Sequence, residues 1–425
     1  MIDRYDRKEN ARWLAISMLG ALSLAAPAAA QDIDTFGSVE TRFRPDYSAP
    51  PITVGSFELL PRVELDTEYV DNLFASDALK VDDTILTVKP RLSIRDRRPD
   101  RQIRLDLSGG YSVYLDNQVD DRLQWMVRGN ARFGLGTRTR PFFGINLRQN
   151  DSTNRRSSEF YDLAQPLKLR SYSGNAGLEQ EFGPFTATAQ GEVERTEYDG
   201  DTIIASTPVD ASFRNFTRKT GRAQIAYSLN PAQRIYIEGE FNTRDYGSNG
   251  PLLSLPAVTI ADRSSDSFTL SVGYSRELTE LLLLDVNVGY LRQTYDDASF
   301  RRVSTIAFDA SLYYSPTRLT RILARVSRSV DDTVDPLYSG LVRTEFSAGI
   351  EHELRRFLIL SVNARYASID AGAGANDNSE LRLVAQARYL FSPKWFARLR
   401  TEYFKRDGIT DGTQKKLMLG IGYNF

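Results

Sequence analysis

From residue 31 onward no apolar run exceeds four residues, as at Leu281 to Leu284, yet large apolar side chains recur at alternate positions in stretch after stretch, up to the last residue. Such a chain cannot cross a bilayer as a helix, which needs about 20 predominantly apolar residues in a row. It makes strands with one oily face, because successive side chains of a strand point to opposite sides. The final nine residues show the pattern plainly. Leu417, Leu419, Ile421, Tyr423 and Phe425 share one face, and Met418, Gly420, Gly422 and Asn424 share the other.

A terminal strand of this kind that stops on an aromatic is similar to the closing strand of bacterial outer-membrane barrels, whose assembly machinery reads the last residue. Leu417, Leu419, Ile421, Tyr423 and Phe425 are therefore the expected barrel-assembly signal, with that machinery as a partner. The other end agrees. Arg4, Arg7, Lys8 and Arg12 precede an apolar run from Trp13 to Ala26, and Ala28-Ala29-Ala30 follow. This reads as a secretory signal peptide over residues 1–30, with Ala28 and Ala30 at the cleavage site. An exported chain without membrane helices that enters lipid must be a closed barrel, the one other fold that satisfies every backbone hydrogen bond there. A mean hydropathy of −0.38 suits that fate, since half of each strand faces water or polar neighbours.

The connections alternate between short and long. Short joints fall at Arg98-Pro99-Asp100, Thr137 to Pro141, Gly183-Pro184, Asn230-Pro231, Thr279-Glu280, Pro316-Thr317, Arg355-Arg356 and Pro393-Lys394. Most carry proline, whose fixed φ and missing donor do no harm in a turn. Polar joints fall at about 71–82, 116–121, 151–167, 200–212, 246–264, 296–301, 331–339, 370–379 and 407–412. The fold expected is an all-β, antiparallel, up-and-down transmembrane barrel over residues 57–425, with about 18 strands, or 16 if one hairpin is miscounted. Short turns face the periplasm and long loops face outward. Residues 31–56, with Pro45, Pro50 and Pro51, form a periplasmic lead-in.

Parity sorts the side chains. Ile235, Ile237 and Phe241 are expected toward lipid, opposite Arg234, Glu238 and Glu240. By the same rule Arg321, Arg325, Arg343, Glu345, Arg382, Arg388, Arg398, Arg400 and Glu402 are the candidate lining of the lumen. Such arginines have two readings: they attract anionic solutes, as basic pore rings do, or they pair with carboxylates and stiffen the wall. Aromatics near the tight turns, among them Phe142-Phe143, Tyr313-Tyr314 and Trp395-Phe396, suggest a girdle at the periplasmic interface. Outer-membrane lipid and lipopolysaccharide are the expected surroundings.

With 54 basic against 55 acidic residues, a nucleic-acid partner is not expected. Arginine outnumbers lysine 45 to nine, which suits a partly enclosed polar lumen. No cysteine is present, so thiolate chemistry and disulfides are excluded. The single histidine, His352, lies in a Glu351-His352-Glu353 run that resembles a catalytic or metal-binding triplet. Strand geometry sends it to the face opposite the two glutamates, so an enzyme is not expected, and a hydrolase is the least favoured alternative. Paired aspartates at the outer strand ends (Asp82-Asp83, Asp120-Asp121, Asp296-Asp297, Asp331-Asp332) either cap those ends or bind calcium, and no spacing matches a dedicated calcium loop. No cofactor or metal is expected.

Three short segments resemble the opening of the putative β-barrel porin type 2 family of Gram-negative bacteria. They are Arg44-Pro45-Asp46-Tyr47, Gly55-Ser56-Phe57-Glu58-Leu59-Leu60-Pro61 and Tyr69-Val70-Asp71-Asn72-Leu73-Phe74, with valine at 70 in place of an expected carboxylate. The resemblance implies an outer-membrane barrel and, more loosely, a link to exopolysaccharide loci, with polysaccharide-export components as partners. The function expected is a porin-like passage for small solutes or for polysaccharide export. The alternative is a plugged docking barrel, with loops 151–167 and 246–264 folded inward.

Overall fold

The computed structural model describes residues 38–40, 42–78, 80–151, 167–204, 207–247, 250–252, 255–331, 340–370, 378–408 and 411–425. Eighteen strands form the wall, numbered here in chain order: β1 (Phe57–Val70), β2 (Asp83–Asp96), β3 (Arg101–Tyr114), β4 (Arg122–Phe133), β5 (Thr139–Asp151), β6 (Lys168–Phe182), β7 (Phe185–Asp199), β8 (Phe216–Asn230), β9 (Gln233–Tyr246), β10 (Ser265–Thr279), β11 (Leu282–Tyr295), β12 (Val303–Thr317), β13 (Thr320–Asp331), β14 (Leu341–Arg355), β15 (Leu358–Asp370), β16 (Asn378–Leu390), β17 (Trp395–Asp407) and β18 (Gly412–Asn424). Each pairs antiparallel with the next. The sheet closes where β1 meets β18, from Arg62 opposite Asn424 to Val70 opposite Lys416. Closure leaves no edge to hydrogen-bond with lipid, which has no partners to offer. Among the described residues no helix is long and apolar enough to cross a membrane.

The 18-stranded antiparallel barrel expected from the rhythm is the fold observed. Strand lengths of 12 to 15 residues exceed the 9 to 11 or so that cross the hydrocarbon. Tight turns rest on local chemistry: Gly183 takes φ +61°, cheap only for glycine, and Pro184 follows with its own fixed φ. Two other prolines lie elsewhere than expected, Pro141 inside β5 and Pro316 inside β12. Pro61 also lies within a strand, and its carbonyl accepts from the Phe425 N–H at 3.2 Å. Its missing N–H forfeits only the reciprocal bond to Phe425, the residue after β18, where the ladder ends. Below that point a short strand, Ile52–Val54, folds back on Phe57–Leu59 and takes the place β18 has vacated.

Exposure follows parity all round the wall. Leu65, Val88, Ile145, Val193, Ile237, Val272, Ile306, Ile350, Leu383, Leu399, Leu419 and Ile421 are exposed on the outer face, the arrangement lipid stabilises. Near the tight turns the outward rings meet in pairs: Phe185 and Tyr227 at 4.9 Å, Tyr389 and Phe391 at 4.9 Å, Trp395 and Tyr423 at 4.8 Å. Adjacent aromatics do not all join this girdle. Phe142 and Phe396 are buried on the inner face, because neighbours in a strand point to opposite sides. Each lies against an inward glycine of the next strand, Gly177 for Phe142 and Gly422 for Phe396, where a Cβ would collide with the ring.

Candidate functional site: the inner face and its two mouths

Register places Arg321, Arg325, Arg343, Glu345, Arg382, Arg388, Arg398, Arg400 and Glu402 on the face opposite the exposed apolar rows. Every arginine of this set has a carboxylate partner. Arg321 lies 3.5 Å from Glu351 and Arg325 lies 2.5 Å from Asp309. Arg343 sits 3.3 Å from both Glu345 and Glu380, and Arg365 meets Glu345 at 2.5 Å. Glu402 receives both Arg382 and Arg400, the latter at 2.8 Å. Arg398 reaches Glu64 and Asp66 at 2.9 Å each, and Arg388 lies 3.5 Å from Glu40. Arg343–Glu345 and Arg400–Glu402 lie within one strand and Arg388–Glu40 joins the wall to the N-terminal segment, but the other pairs run between adjacent strands or across one intervening strand and brace the wall sideways.

The wall is nonetheless wet. The side chains of Arg382 and Arg400 are 39% and 37% exposed, and inward-facing Arg91 and Asn363 are exposed as well. Barrels of 16 to 18 strands are wide enough to leave an aqueous interior.

Each end is narrowed by a segment that lies outside the barrel wall. At the tight-turn end, residues 38–40 and 42–50 enter the mouth. The Val39 N–H and the Ser38 hydroxyl donate to Glu351 Oε2 at 2.7 and 2.8 Å. Arg44 is buried, pairs with Glu353 at 2.8 Å and donates to the carbonyls of Val39 and Arg42. Burial lowers the Arg44 guanidinium from its ordinary basicity, and the Glu353 carboxylate beside it opposes that shift. Val39 is fully buried against Ile359, Leu390 and Phe396, with Tyr47 and Phe357 packed alongside. The inward glutamates of the Glu351-His352-Glu353 run thus hold this segment. His352 points outward, with Nδ1 2.9 Å from the Thr320 hydroxyl.

At the opposite end loop 71–82 folds over the inner wall. Leu73 and Phe74 pack on Val70, Ile85 and Tyr114. Asn72 is buried and donates to the carbonyls of Ser76 and Thr413 at 3.1 and 2.8 Å, while Gln414 Nε2 donates to the carbonyls of Asn72 and Leu73. Arg406 donates to the Ala75 carbonyl at 3.2 Å. Valine at 70 is inward and completely buried, an apolar floor for the loop. Two of the three segments that carry the family resemblance are therefore those that shape the two mouths.

The aspartate pairs cap loops where they are described. Asp83 is buried and receives the N–H groups of Leu115, Asp116 and Asn117. Asp121 receives the Tyr114 N–H at 2.7 Å. The Ser299 N–H, 2.8 Å from Asp297, holds that carboxyl below the usual range. Asp332 and Asp335 lie outside the described residues, as does most of loop 151–167. Among the described residues no group of three or more potential ligands is placed to hold a metal ion.

The family model for putative beta-barrel porin 2 matches residues 44–424, from the buried arginine of the inner mouth to the penultimate residue of the chain. The chain belongs to this porin family. Its place is accordingly the bacterial outer membrane. No curated protein is matched by the sequence. Among solved structures, OccK2 (OpdF) of Pseudomonas aeruginosa is 13% identical with a TM-score of 0.44, over 86% of this chain and 98% of that one. OpdL of the same species is 14% identical with a TM-score of 0.42, over 88% and 100%. OccAB4 of Acinetobacter baumannii is 11% identical with a TM-score of 0.44, over 86% and 98%.

Proposed function

We propose that this porin is a passive passage for hydrophilic solutes across the outer membrane, narrowed at both mouths. The observation that carries the reading is the half-exposed polar inner wall of a closed 18-stranded barrel, with Arg91, Asn363, Arg382 and Arg400 solvent-exposed on it. Association with exopolysaccharide export is part of the proposal and rests on the family resemblance. Single-channel conductance of folded protein in planar bilayers is the test. Steady current supports the passage; silence from demonstrably folded protein overturns it.

A second reading, a barrel plugged until a partner releases it, is favoured by residues 38–40 and 42–50, which the Arg44–Glu353 pair and the Val39 cluster hold in the inner mouth. Deleting residues 38–50 distinguishes the two. Current that rises from near zero supports the plug, and current that is already large in the intact protein supports the passage.

A further inference from the structure

The inner face of β2 to β5 differs from the rest of the wall. Register sets four rows across these strands: Arg91-Ser108-Met126-Arg148, then Ser93-Asp106-Arg128-Asn146, then Arg95-Arg104-Asn130-Gly144, then Gln102-Arg132-Phe142. Six arginines share this patch with one carboxylate. Asp106 is already engaged by Arg104 at 2.6 Å and by the Ser93 hydroxyl. Arg132 lies over the Phe142 ring, and Arg128 donates to the Met126 sulfur at 3.7 Å and feels Asp106 opposite it without pairing with it. Arg91, Arg128 and Arg148 make no ion pair with a carboxylate among the described residues. Elsewhere the wall is mixed or acidic, with Glu179, Glu181, Glu192 and Glu194 on β6 and β7 and Asp285 and Asp309 on β11 and β12. The arginines of β13 to β17 discussed above are all paired, and the inner face of β10 to β12 carries no lysine or arginine.

Strand spacing of about 4.8 Å puts Arg91 and Arg148 roughly 14 Å apart across the patch, and its four rows span roughly 20 Å along the barrel. That area is too large for one carboxylate or phosphate group. Guanidinium groups form forked, charge-assisted hydrogen bonds with both kinds of oxyanion, and a wet, low-dielectric wall focuses their field. Ser108, Asn130 and Asn146 add neutral hydrogen-bonding groups between them. We infer that the β2 to β5 patch is a binding site for solutes carrying several carboxylate or phosphate groups, held by Arg91, Arg128 and Arg148. The inference builds on the passage reading only in requiring that solute enter the lumen.

The test uses the full-length porin in planar bilayers, with trigalacturonate or tripolyphosphate added as probe and orthophosphate as the singly phosphorylated comparison. Either multivalent probe is expected to interrupt the current, and whichever does so names carboxylate or phosphate as the preferred group. Arg91→Gln/Arg128→Gln/Arg148→Gln should shorten the interruptions about tenfold, the loss expected when charge-assisted bonds are removed. Arg195→Gln, at a paired arginine on the outer face, should leave them unchanged. Wild-type current that neither probe interrupts, or interruptions of equal length in the triple variant, overturn the site. Where folded wild-type protein carries no current, the passage reading falls and the site is tested separately by calorimetric titration of both probes in detergent. Binding lost in the triple variant then supports it, and absence of binding by wild type overturns it.

Discussion

The Arg398 guanidinium reaches across Gly420 to the Asp66 carboxylate, 2.9 Å away, and so ties β17 to β1 over the intervening β18. This is the seam where the two ends of the sheet meet. Gly420 makes the bridge possible, since a Cβ there would run into Asp66, with the carboxyl carbon at 3.2 Å. Lys89 also reaches Asp66, at 2.6 Å, from β2, so one carboxylate collects cations from both sides of the closure.

Gly420→Val should therefore weaken closure by about 1–3 kcal/mol, the usual range for overpacking a filled site. The temperature at which the folded, fast-migrating form is lost on electrophoresis reads this. In an Asp66→Ala background the same substitution should cost less, because the atom it strikes is gone. Equal cost in both backgrounds would count against the seam.

Sidedness gives the second prediction. Leu419→Arg places a charge on the lipid face and should cost about 2–4 kcal/mol near the midplane. Asn363→Arg, on the exposed inner face, should stay within about 0.5 kcal/mol of wild type. Unfolding from lipid vesicles in denaturant measures both, and a reversed order would invert the assignment of faces.

The inner mouth supplies the third. Glu353→Gln leaves the buried Arg44 guanidinium without its carboxylate, a change that costs roughly 3–5 kcal/mol where one partner of a buried pair is removed. Residues 38–50 should then leave the mouth. Single-channel conductance is expected to rise, and trypsin is expected to cut after Arg42 or Arg44, as N-terminal fragment masses would report.

The fourth concerns the outer rim. Asp83→Ala removes the acceptor for the Asp116 and Asn117 N–H groups, at 3.2 and 3.0 Å. These amides should exchange with deuterium at least about tenfold faster, the effect of losing charge-assisted bonds to backbone donors. Amides in the middle of β3 should be unaffected.

Much of this architecture is legible in the primary structure because lipid imposes a simple rule. An outer face that must be apolar and an inner face that need not be produce alternation, and alternation gives strand number and sidedness, as in Leu417 to Phe425. Which arginines are neutralised is not legible. Arg382 and Arg398 have the same parity signature as Arg91 and Arg148, and among the described residues only the first two meet carboxylates. The partner of Arg398 lies 332 residues away in the chain.

The amino-acid sequence by itself determined the kind of wall, an antiparallel barrel of about eighteen strands, most of its turns to within a few residues, and which side chains face lipid, since each of these depends on near neighbours and on the medium. The tertiary structure decided the interior. Val39 and Arg44 entering one mouth, Leu73 and Phe74 lining the other, and the excess of arginine over carboxylate on β2 to β5 all arise from contacts or registers between segments distant in sequence. Local periodicity carries no information about such meetings, because they depend on how the closed sheet brings its ends and its opposite edges together.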